Sequence, residues 1–295
     1  MSDEGFAKDV DVRVHALHIY PIKSCGGITL SEGLLIETGL DLDRAWMVVD
    51  EHSEFVSQRD LPRMALILPT LKHEDVVLRA PGMLALHLSL NGVEAPVRAK
   101  VWNDWVSAYD MGDLAAQWFS DFLGRKLRLV RHDPDPRDPA LRRLSDKRWT
   151  GALEAQTAFS DGFPLLVTST ASMDELNQRL RAHGHADVTQ ARMRPNLVLD
   201  GLDAHGEDHL DEIVFDTDEG AVRIKLVKPC ARCSIPDVNP LTAETGHAVG
   251  DALAGYRADP RMDGQLTFGM NGVIVEGIDR MLRVGMAGGA NIRFE

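Results

Sequence analysis

The first third of the chain alternates apolar and polar residues in short stretches. In "VRVHALHIYPI", the two-residue period of a strand places Val12, Val14 and Ala16 on one face. The same period places Leu17 on the opposite face. Further strands are predicted at "RAWMVVD", "MALILPTL", "DVVLRA", "LALHLSL" and "APVRAKVW", with breaks such as "APG" and "NGV" between them. This spacing is typical of an all-β barrel or sandwich.

One amphipathic helix interrupts the strands, at "DLAAQWFSDFLGRKL". Its period predicts that Leu114, Trp118 and Phe122 share a buried face. Asp113 is placed to cap the start of this helix, and Gly124 is placed to end it.

Residues 131–149, "RHDPDPRDPALRRLSDKRW", have no apolar period and predict either a join between two domains or a long loop over a site. A strand, "FPLLVTST", and a helix, "SMDELNQRLRAHG", follow. A Ser172–Glu175 capping box is predicted to open that helix, and Gly184 to end it. The remaining strands are "PNLVLDG", "EIVFDT", "AVRIKLVK", "TFGMNGVIVEG" and "MLRVGM". The pattern predicts a mainly β protein with a few helices.

Composition limits the classes of function. The 295 residues are 44% hydrophobic and 26% charged, as in globular proteins, and the net charge is −13. Such an acidic chain is not expected to bind nucleic acid. No apolar run reaches the roughly 18 residues of a membrane span, so no membrane partner is expected. The acidic N-terminus, "MSDEGFAKDVDVRV", has no secretory apolar core, which predicts a cytoplasmic location.

Two of the three cysteines, Cys230 and Cys233, follow the strand "AVRIKLVK" in the segment "KPCARCSIPDVNP". Lys228 and Arg232 lie beside them, and neighbouring cations favour the thiolate, which binds soft metals. A disulfide, half of a zinc site, a redox pair, a soft-metal ligand and two small buried residues all agree with this spacing. The prolines that follow disfavour the helix of a thioredoxin-like site.

Polar side chains suited to an oxyanion or phosphate occur at three other strand ends. Lys23 and Ser24 follow a strand in "YPIKSCGG", and Arg44 precedes one in "DLDRAWMVVD". Arg194 and Asn196 flank the proline of "RMRPNLVLD". Together they predict an anion-binding set delivered by strand ends.

These segments resemble a known family. "IYPIKSCGG", "DLDRAWMVVDEHSEFVSQRDLPRMALI", "FSDGFPLLVTSTASMDELN", "RMRPNLVLDG", "KPCARCSIPDVNP" and "TFGMNGVIVEG" occur in the order seen in MOSC-domain proteins with an N-terminal MOSC β-barrel region. The resemblance is strongest to the amidoxime-reducing branch of this molybdenum cofactor sulfurase C-terminal domain superfamily. It implies an N-terminal β-barrel-like region at residues 12–132 and a MOSC β-barrel domain at residues 133–286.

The resemblance also implies the site. The family's cofactor is molybdenum–molybdopterin. Cys233, the second cysteine of the CxRC motif, corresponds to the family's metal ligand. Asp161 corresponds to a residue near the metal that assists proton transfer. The residues that correspond to cofactor contacts are Lys23, Ser24, Arg44, Gly162, Phe163, Arg194, Asn196, Ala231, Arg232 and Cys233.

The function implied is a molybdenum-cofactor oxidoreductase that reduces small N-hydroxylated compounds. No cysteine follows Cys233, so electrons are expected from a separate ferredoxin- or flavoprotein-type donor. "VNPLTAETG" and "VGM" depart from the family motifs and affect the expected substrate range. Two alternatives remain: a carrier of the cofactor or of a Cys233 persulfide, and a dithiol redox protein that uses Cys230 and Cys233.

Overall fold

A computed structural model describes residues 8–293 of the chain. Four α-helices are present in that range: α1 (Gly112–Leu123), α2 (Lys147–Thr150), α3 (Thr170–Ala182) and α4 (Ala248–Ala254). The strands are β1 (Val10–Ile19), β2 (Ile28–Leu30), β3 (Glu32–Ile36), β4 (Gly39–Leu40), β5 (Trp46–Val49), β6 (Leu68–Lys72), β7 (Asp75–Arg79), β8 (Leu86–Ser89), β9 (Pro96–Val101), β10 (Asp104–Asp110), β11 (Arg128–His132), β12 (Leu165–Ser169), β13 (Leu197–Asp200), β14 (Leu210–Thr217), β15 (Gly220–Ala231), β16 (Ala258–Asp259), β17 (Gln265–Glu276), β18 (Met281–Arg283) and β19 (Ala287–Ile292). The prediction of a mainly β protein with a few helices is confirmed.

Seven strands close into a barrel. Their order is β12-β13-β1-β19-β14-β15-β17, and β17 pairs with β12 to complete the ring. The β12–β13 pair is parallel, and the other pairs of the ring are antiparallel. Alternate residues of each strand point inward. Val222, Ile224 and Leu226 of β15 are fully buried there, as their alternation predicted.

The N-terminal part adds smaller sheets beside the barrel. A sheet ordered β5-β11-β10-β9 and a β6-β7-β8 sheet pack with α1 around a second core that includes Trp46 and Phe119. Strand β1 lies in the predicted N-terminal region but pairs with β13 and β19 of the barrel. The boundary between the two predicted domains, after residue 132, stays a prediction.

The predicted faces of β1 change along the strand. Val12 and Val14 are buried as expected, but the pairing with β13 shifts register between Val14 and Ala16. This bulge turns Leu17 inward, where it is fully buried, and leaves Ala16 half-buried. The predicted faces were therefore wrong beyond Val14.

Helix α1 follows the prediction only in part. Gly124 ends it with φ at 68°, and Trp118 and Phe122 are buried, but Leu114 is 76% exposed. Asp113 does not cap the helix, because its carboxylate accepts a hydrogen bond from Arg128. The amide of Gly112 donates instead to Asp110, which precedes the helix.

Other boundaries differ by a few residues. Ser169, not Ser172, caps α3 by accepting from the Ser172 amide, because the Ser172 hydroxyl donates to buried Glu207. Gly184, with φ at 77°, follows the end of α3 as predicted. The segment "MALILPTL" begins inside a 3-10 helix, Pro62–Leu66, which precedes β6.

Within residues 8–293, no helix has the length and hydropathy to cross a membrane.

Gly39 brings the β3–β4 hairpin against the segment that leads into β12. Its φ is 122°, and a Cβ there would overlap the carbonyl oxygen of Pro164. Only glycine meets both conditions, since other residues rarely adopt this backbone region.

We predict that Gly39→Ala lowers the free energy of unfolding by roughly 3 kcal/mol or more, through strain and displacement of Pro164. Gly82→Ala is the matched control, because Gly82 has φ at 76° with open space around a Cβ. It should cost only about 1 kcal/mol. Urea denaturation of both variants measures the difference, and equal losses would contradict the packing of Gly39 on Pro164.

Candidate functional site

A cleft open to solvent lies where ends of barrel strands meet the N-terminal part. The structure brings all of the sequence-predicted site residues into its lining: Lys23, Ser24, Arg44, Asp161, Gly162, Phe163, Arg194, Asn196, Ala231, Arg232 and Cys233.

Three of these residues have a left-handed backbone. The φ angles are 68° at Ser24, 48° at Arg44 and 60° at Arg194. Such angles are uncommon outside glycine and cluster at binding sites, where surrounding contacts enforce them. Here the Arg44 amide donates to the Tyr20 carbonyl, and the Lys23 amide donates to the Trp46 carbonyl. Backbone pairing between the chain after β1 and the start of β5 thus fixes Arg44 and the turn at Lys23 and Ser24.

Arg44 and Arg194 stack on one phenol ring. Their guanidinium carbons lie 4.5 and 4.1 Å from the centre of Tyr20. Arg44 has an ion pair with Asp43, at 2.5 Å, and also donates to Asn196 Oδ1, at 3.2 Å. Burial raises the pKa of Tyr20 to about 12, so this ring stays neutral and supplies no counter-charge.

Arg194 has fewer partners. Its Nη1 donates to the carbonyl oxygen of Cys25 at 2.6 Å, while its Nη2 is buried with no hydrogen-bond partner. Burial, and then the charge of Arg44, lower the pKa of Arg194 to about 10. Arg194 is therefore still a cation at neutral pH, and its Nη2 has no acceptor in the described protein. Cys25 is fully buried, which raises its thiol pKa to about 12 and keeps it protonated.

Lys23 and Asp161 form a pair at the edge of the cleft. Lys23 is 6% exposed, and its Nζ donates to Asp161 Oδ1 at 2.5 Å and to the Phe159 carbonyl at 2.9 Å. Burial lowers the pKa of Lys23, against the opposing effect of Asp161. Although desolvation alone would raise the pKa of Asp161, the charges of Lys23 and Arg44 hold it below its usual range. The Asp161 side chain is 67% exposed, so solvent moderates this effect, and its carboxylate is ionised at neutral pH.

The two cysteines of the CxRC turn differ in their surroundings. Cys230 is half-buried within β15, and its Sγ accepts a hydrogen bond from Arg232 Nη1 at 3.1 Å. Cys233 lies beyond the strand end and is exposed. The Lys228 Nζ lies over the rings of Trp149 and Phe163, at 5.5 and 5.7 Å from their centres. The exposed Cys233 thiol is the one open to a bound group.

The described protein has neither a disulfide nor a cluster of three His, Cys, Asp or Glu side chains able to hold a metal. Residues 8–293 therefore supply no further ligands that would complete a zinc site at the cysteine turn. A metal at Cys233 would take its other ligands from a bound group.

The cleft fits an anionic cofactor. Arg194 Nη2 and Arg232 Nε are buried donors without partners, and Arg232 uses its other nitrogens on Cys230 and the Met193 carbonyl. Unpaired buried donors are costly, and an anion that accepts from them would stabilise the site. Gly162 lines the same cleft with open space where a Cβ would be, which leaves room for close approach.

Some lining residues were missed from the sequence. Phe55, Ser57, Arg59 and Asn271 line the cleft. The first three lie in "DEHSEFVSQRD", part of a segment that carried the family resemblance, but no spacing rule connects them with the cysteine turn. The contiguous motif "DEHSEFVSQRD" was therefore the sequence signal that could have identified these three residues.

Arg143 was also missed, because it lies in the aperiodic segment 131–149. Its Nη2 donates to the Asp161 carbonyl at 2.7 Å, and its Nη1 donates to the Ser160 carbonyl and Thr157 Oγ1. Its Nε donates to Asp104 at 3.1 Å. The segment therefore reaches the cleft, and Arg143 holds the backbone that presents Asp161.

Comparison with known families matches both parts of the chain. Residues 11–126 match the MOSC N-terminal beta barrel domain, and residues 154–285 match the MOSC domain. The predicted fold class, a MOSC β-barrel with an N-terminal β-barrel-like part, is confirmed by these matches together with the closed barrel.

The chain is similar to curated proteins over most of its length. It is 34% identical to mitochondrial amidoxime-reducing component 1 of Mus musculus over 78% of this chain and 66% of that protein. It is 32% identical to mitochondrial amidoxime reducing component 2 of Homo sapiens, over 84% and 73% respectively. It is 28% identical to the molybdenum cofactor sulfurase of Homo sapiens, over 86% of this chain but 29% of that protein. The chain thus spans about two thirds of the first relative and less than a third of the sulfurase.

The prediction of a cytoplasmic location is wrong by this comparison, because the amidoxime-reducing relatives are named as mitochondrial proteins. The prediction rested on the first residues of the chain, of which residues 1–7 lie outside the described structure.

We predict that Arg143→Met lowers the free energy of unfolding by about 2–3 kcal/mol, since it leaves the Ser160 and Asp161 carbonyls without their donor. Arg142→Met is the matched control. Arg142 is 40% exposed, and its one ion pair, with the 96% exposed Asp135, spans 4.0 Å. The control should change stability by less than about 0.5 kcal/mol. Chemical denaturation compares the two, and a neutral Arg143→Met would contradict the anchoring role.

Proposed function

Because the chain belongs to the MOSC-domain family, in the branch of the amidoxime-reducing components, we propose that it is a molybdenum-cofactor oxidoreductase that reduces N-hydroxylated compounds. The observation that carries the proposal is the convergence of one exposed thiol, Cys233, with unpaired buried donors on Arg194 and Arg232 in a single cleft.

The cations of the cleft would hold the pterin and its phosphate. Lys23 and Arg44 each pair with one carboxylate, whereas Arg194 and Arg232 have no carboxylate partner within residues 8–293. Planar guanidinium groups suit a phosphate because two of their N–H groups can donate at once. Ser24 and Asn196 add polar groups, and Gly162, Phe163 and Ala231 complete the wall.

Cys233 would be the protein's ligand to molybdenum. A thiolate is a soft ligand, and this thiol is exposed at the cleft. The bound cofactor supplies the two-electron exchange with the N–O bond. The substrate takes up two electrons and two protons and releases water, and we propose a separate ferredoxin- or flavoprotein-type protein as the electron donor.

Asp161 would take part in proton delivery. Since its carboxylate is ionised at neutral pH, it accepts a proton or orients a water molecule, and it does not act as the initial acid. Lys23, whose pKa is lowered by burial, donates a hydrogen bond to the same carboxylate. The pair can therefore hold a proton at Lys23 Nζ and present an acceptor at Asp161 Oδ1.

A carrier of the cofactor or of persulfide sulfur is the second candidate. The exposure of Cys233 and the similarity to a protein named molybdenum cofactor sulfurase support it. Reduction of benzamidoxime with an artificial reductant separates the two, because a carrier would bind cofactor or sulfur without turnover.

We predict that Cys233→Ser reduces molybdenum from about one atom per chain to near zero. It should also lower benzamidoxime reduction more than about 100-fold, since even outer partners of a metal ligand cost 10–100-fold. Cys230→Ser is the control and should keep most of both. Elemental analysis and steady-state rates measure the outcome, and equal losses in the two variants would remove Cys233 from its role.

Asp161→Asn should lower kcat by about 100-fold, the lower end of the range for general acid–base groups, with molybdenum content preserved. In the unchanged protein the Asp161 pKa is below its usual value near 4, so protonation of this group should not reduce the rate between pH 6 and 8. Activity should fall only at lower pH, where the carboxylate takes up a proton. A pH profile of kcat checks this, and an Asp161→Asn variant with unchanged kcat would rule out the proton role.

A further inference from the structure

The outer wall of the cleft is aromatic and cationic on its N-terminal side. Phe55 lines the cleft and packs edge-on against Trp102, with ring centres 4.9 Å apart. Arg59, which also lines the cleft, places its guanidinium carbon 4.6 Å from the centre of the Trp102 ring. Trp102 is 42% exposed, so this unit lies at the solvent edge.

Arg59 lacks a direct counter-charge in the described protein. Its Nε donates to Ser57 Oγ at 3.2 Å, and that hydroxyl donates in turn to Asp60 at 3.1 Å. No carboxylate of residues 8–293 lies within ion-pair distance of the Arg59 guanidinium. Its two terminal nitrogens therefore carry a charge that a ligand can use. The stacking on Trp102 limits the orientations of the planar group, which lowers the cost of pairing it.

A second aromatic residue of the cleft also has a cation beside it. Phe163 lines the cleft, and Lys228 lies over both Phe163 and Trp149. Phe55 and Phe163 both line the cleft and suit a flat ring, because stacked or edge-on ring contacts are favourable. Lys23, which belongs to the proposed cofactor site, lies over the Phe55 ring at 5.2 Å. Arg59 is a separate cation that lies over Trp102 at the solvent edge.

We infer that the cleft takes planar aromatic N-hydroxylated substrates that bear an anionic substituent, and that Arg59 pairs with this substituent. The inference rests on the proposed function and specifies its substrate class. The net charge of −13 slows the approach of an anion, so selectivity arises from the local contact and not from long-range attraction.

The test compares benzamidoxime with 4-carboxybenzamidoxime on the cofactor-loaded protein. Binding is measured by calorimetry without reductant, and kcat/KM is measured with an artificial reductant. We expect the carboxylate compound to bind about tenfold more tightly and to show a similar gain in kcat/KM, as for one charge-assisted contact at a partly exposed site. Added salt should reduce this ratio.

Arg59→Gln should bring both ratios to about one, and Arg59→Lys should restore part of them. Arg63→Gln is the matched control. Arg63 stacks on Phe122 at 4.4 Å, is exposed and does not line the cleft, so its loss should leave the ratios unchanged.

The two proposals fail in different ways. An Arg59-dependent preference in binding without turnover of either compound would keep the anion subsite and overturn the reductase function. Turnover of both compounds with no preference for the carboxylate would keep the reductase and overturn the subsite. Loss of molybdenum in Arg59→Gln, but not in Arg63→Gln, would assign Arg59 to the cofactor and overturn the inference.

Discussion

The packing of two guanidinium groups, those of Arg44 and Arg194, over the neutral ring of Tyr20 is the interaction on which the cleft depends. Like charges this close repel, and burial removes the water that would screen them. Asp43 offsets one of the two charges, and Tyr20 offsets neither. The cleft is therefore a region of uncompensated positive charge inside an acidic protein. A bound anion would relieve the repulsion, so cofactor binding and local stability are coupled.

Closure of the barrel makes this arrangement possible. Arg194 precedes β13, and the cysteine turn follows β15, with β12 and β17 between these two strands in the ring. The amide nitrogen of Arg232 donates to the Leu266 carbonyl, and Arg232 Nη2 donates to the Met193 carbonyl beside Arg194. Asn196 adds two further contacts, because its side-chain oxygen accepts hydrogen bonds from the Leu166 amide and from Arg44. Residues far apart in sequence thus share hydrogen bonds, which hold the strand ends around the cleft.

The extent to which the sequence predicted these features follows from how local each signal is. The alternation in β15 and the glycine after α1 depend on neighbours in sequence, and both predictions agree with the structure. The bulge in β1 depends on pairing with β13, so the period of β1 alone placed Leu17 on the wrong face. The convergence of Lys23, Arg194 and Cys233 followed from ordered motifs of a family, because spacing within one chain does not reveal which strand ends meet. Arg143 left no local signal, since the partners that connect it with the cleft are the Ser160 and Asp161 backbone carbonyls, which any residue could supply.

The positions of the two cysteines separate their chemistry. Arg232 donates to Cys230 Sγ and to the Met193 carbonyl. Cys230 is thereby held in the strand wall, where its sulfur already has a donor. Cys233 has no such partner in the described protein and lies exposed beyond the strand end, where a bound group can reach it. A metal held by other ligands would deprotonate this thiol on binding. The protein therefore supplies position and access at Cys233, and the bound group supplies the driving force for ligation.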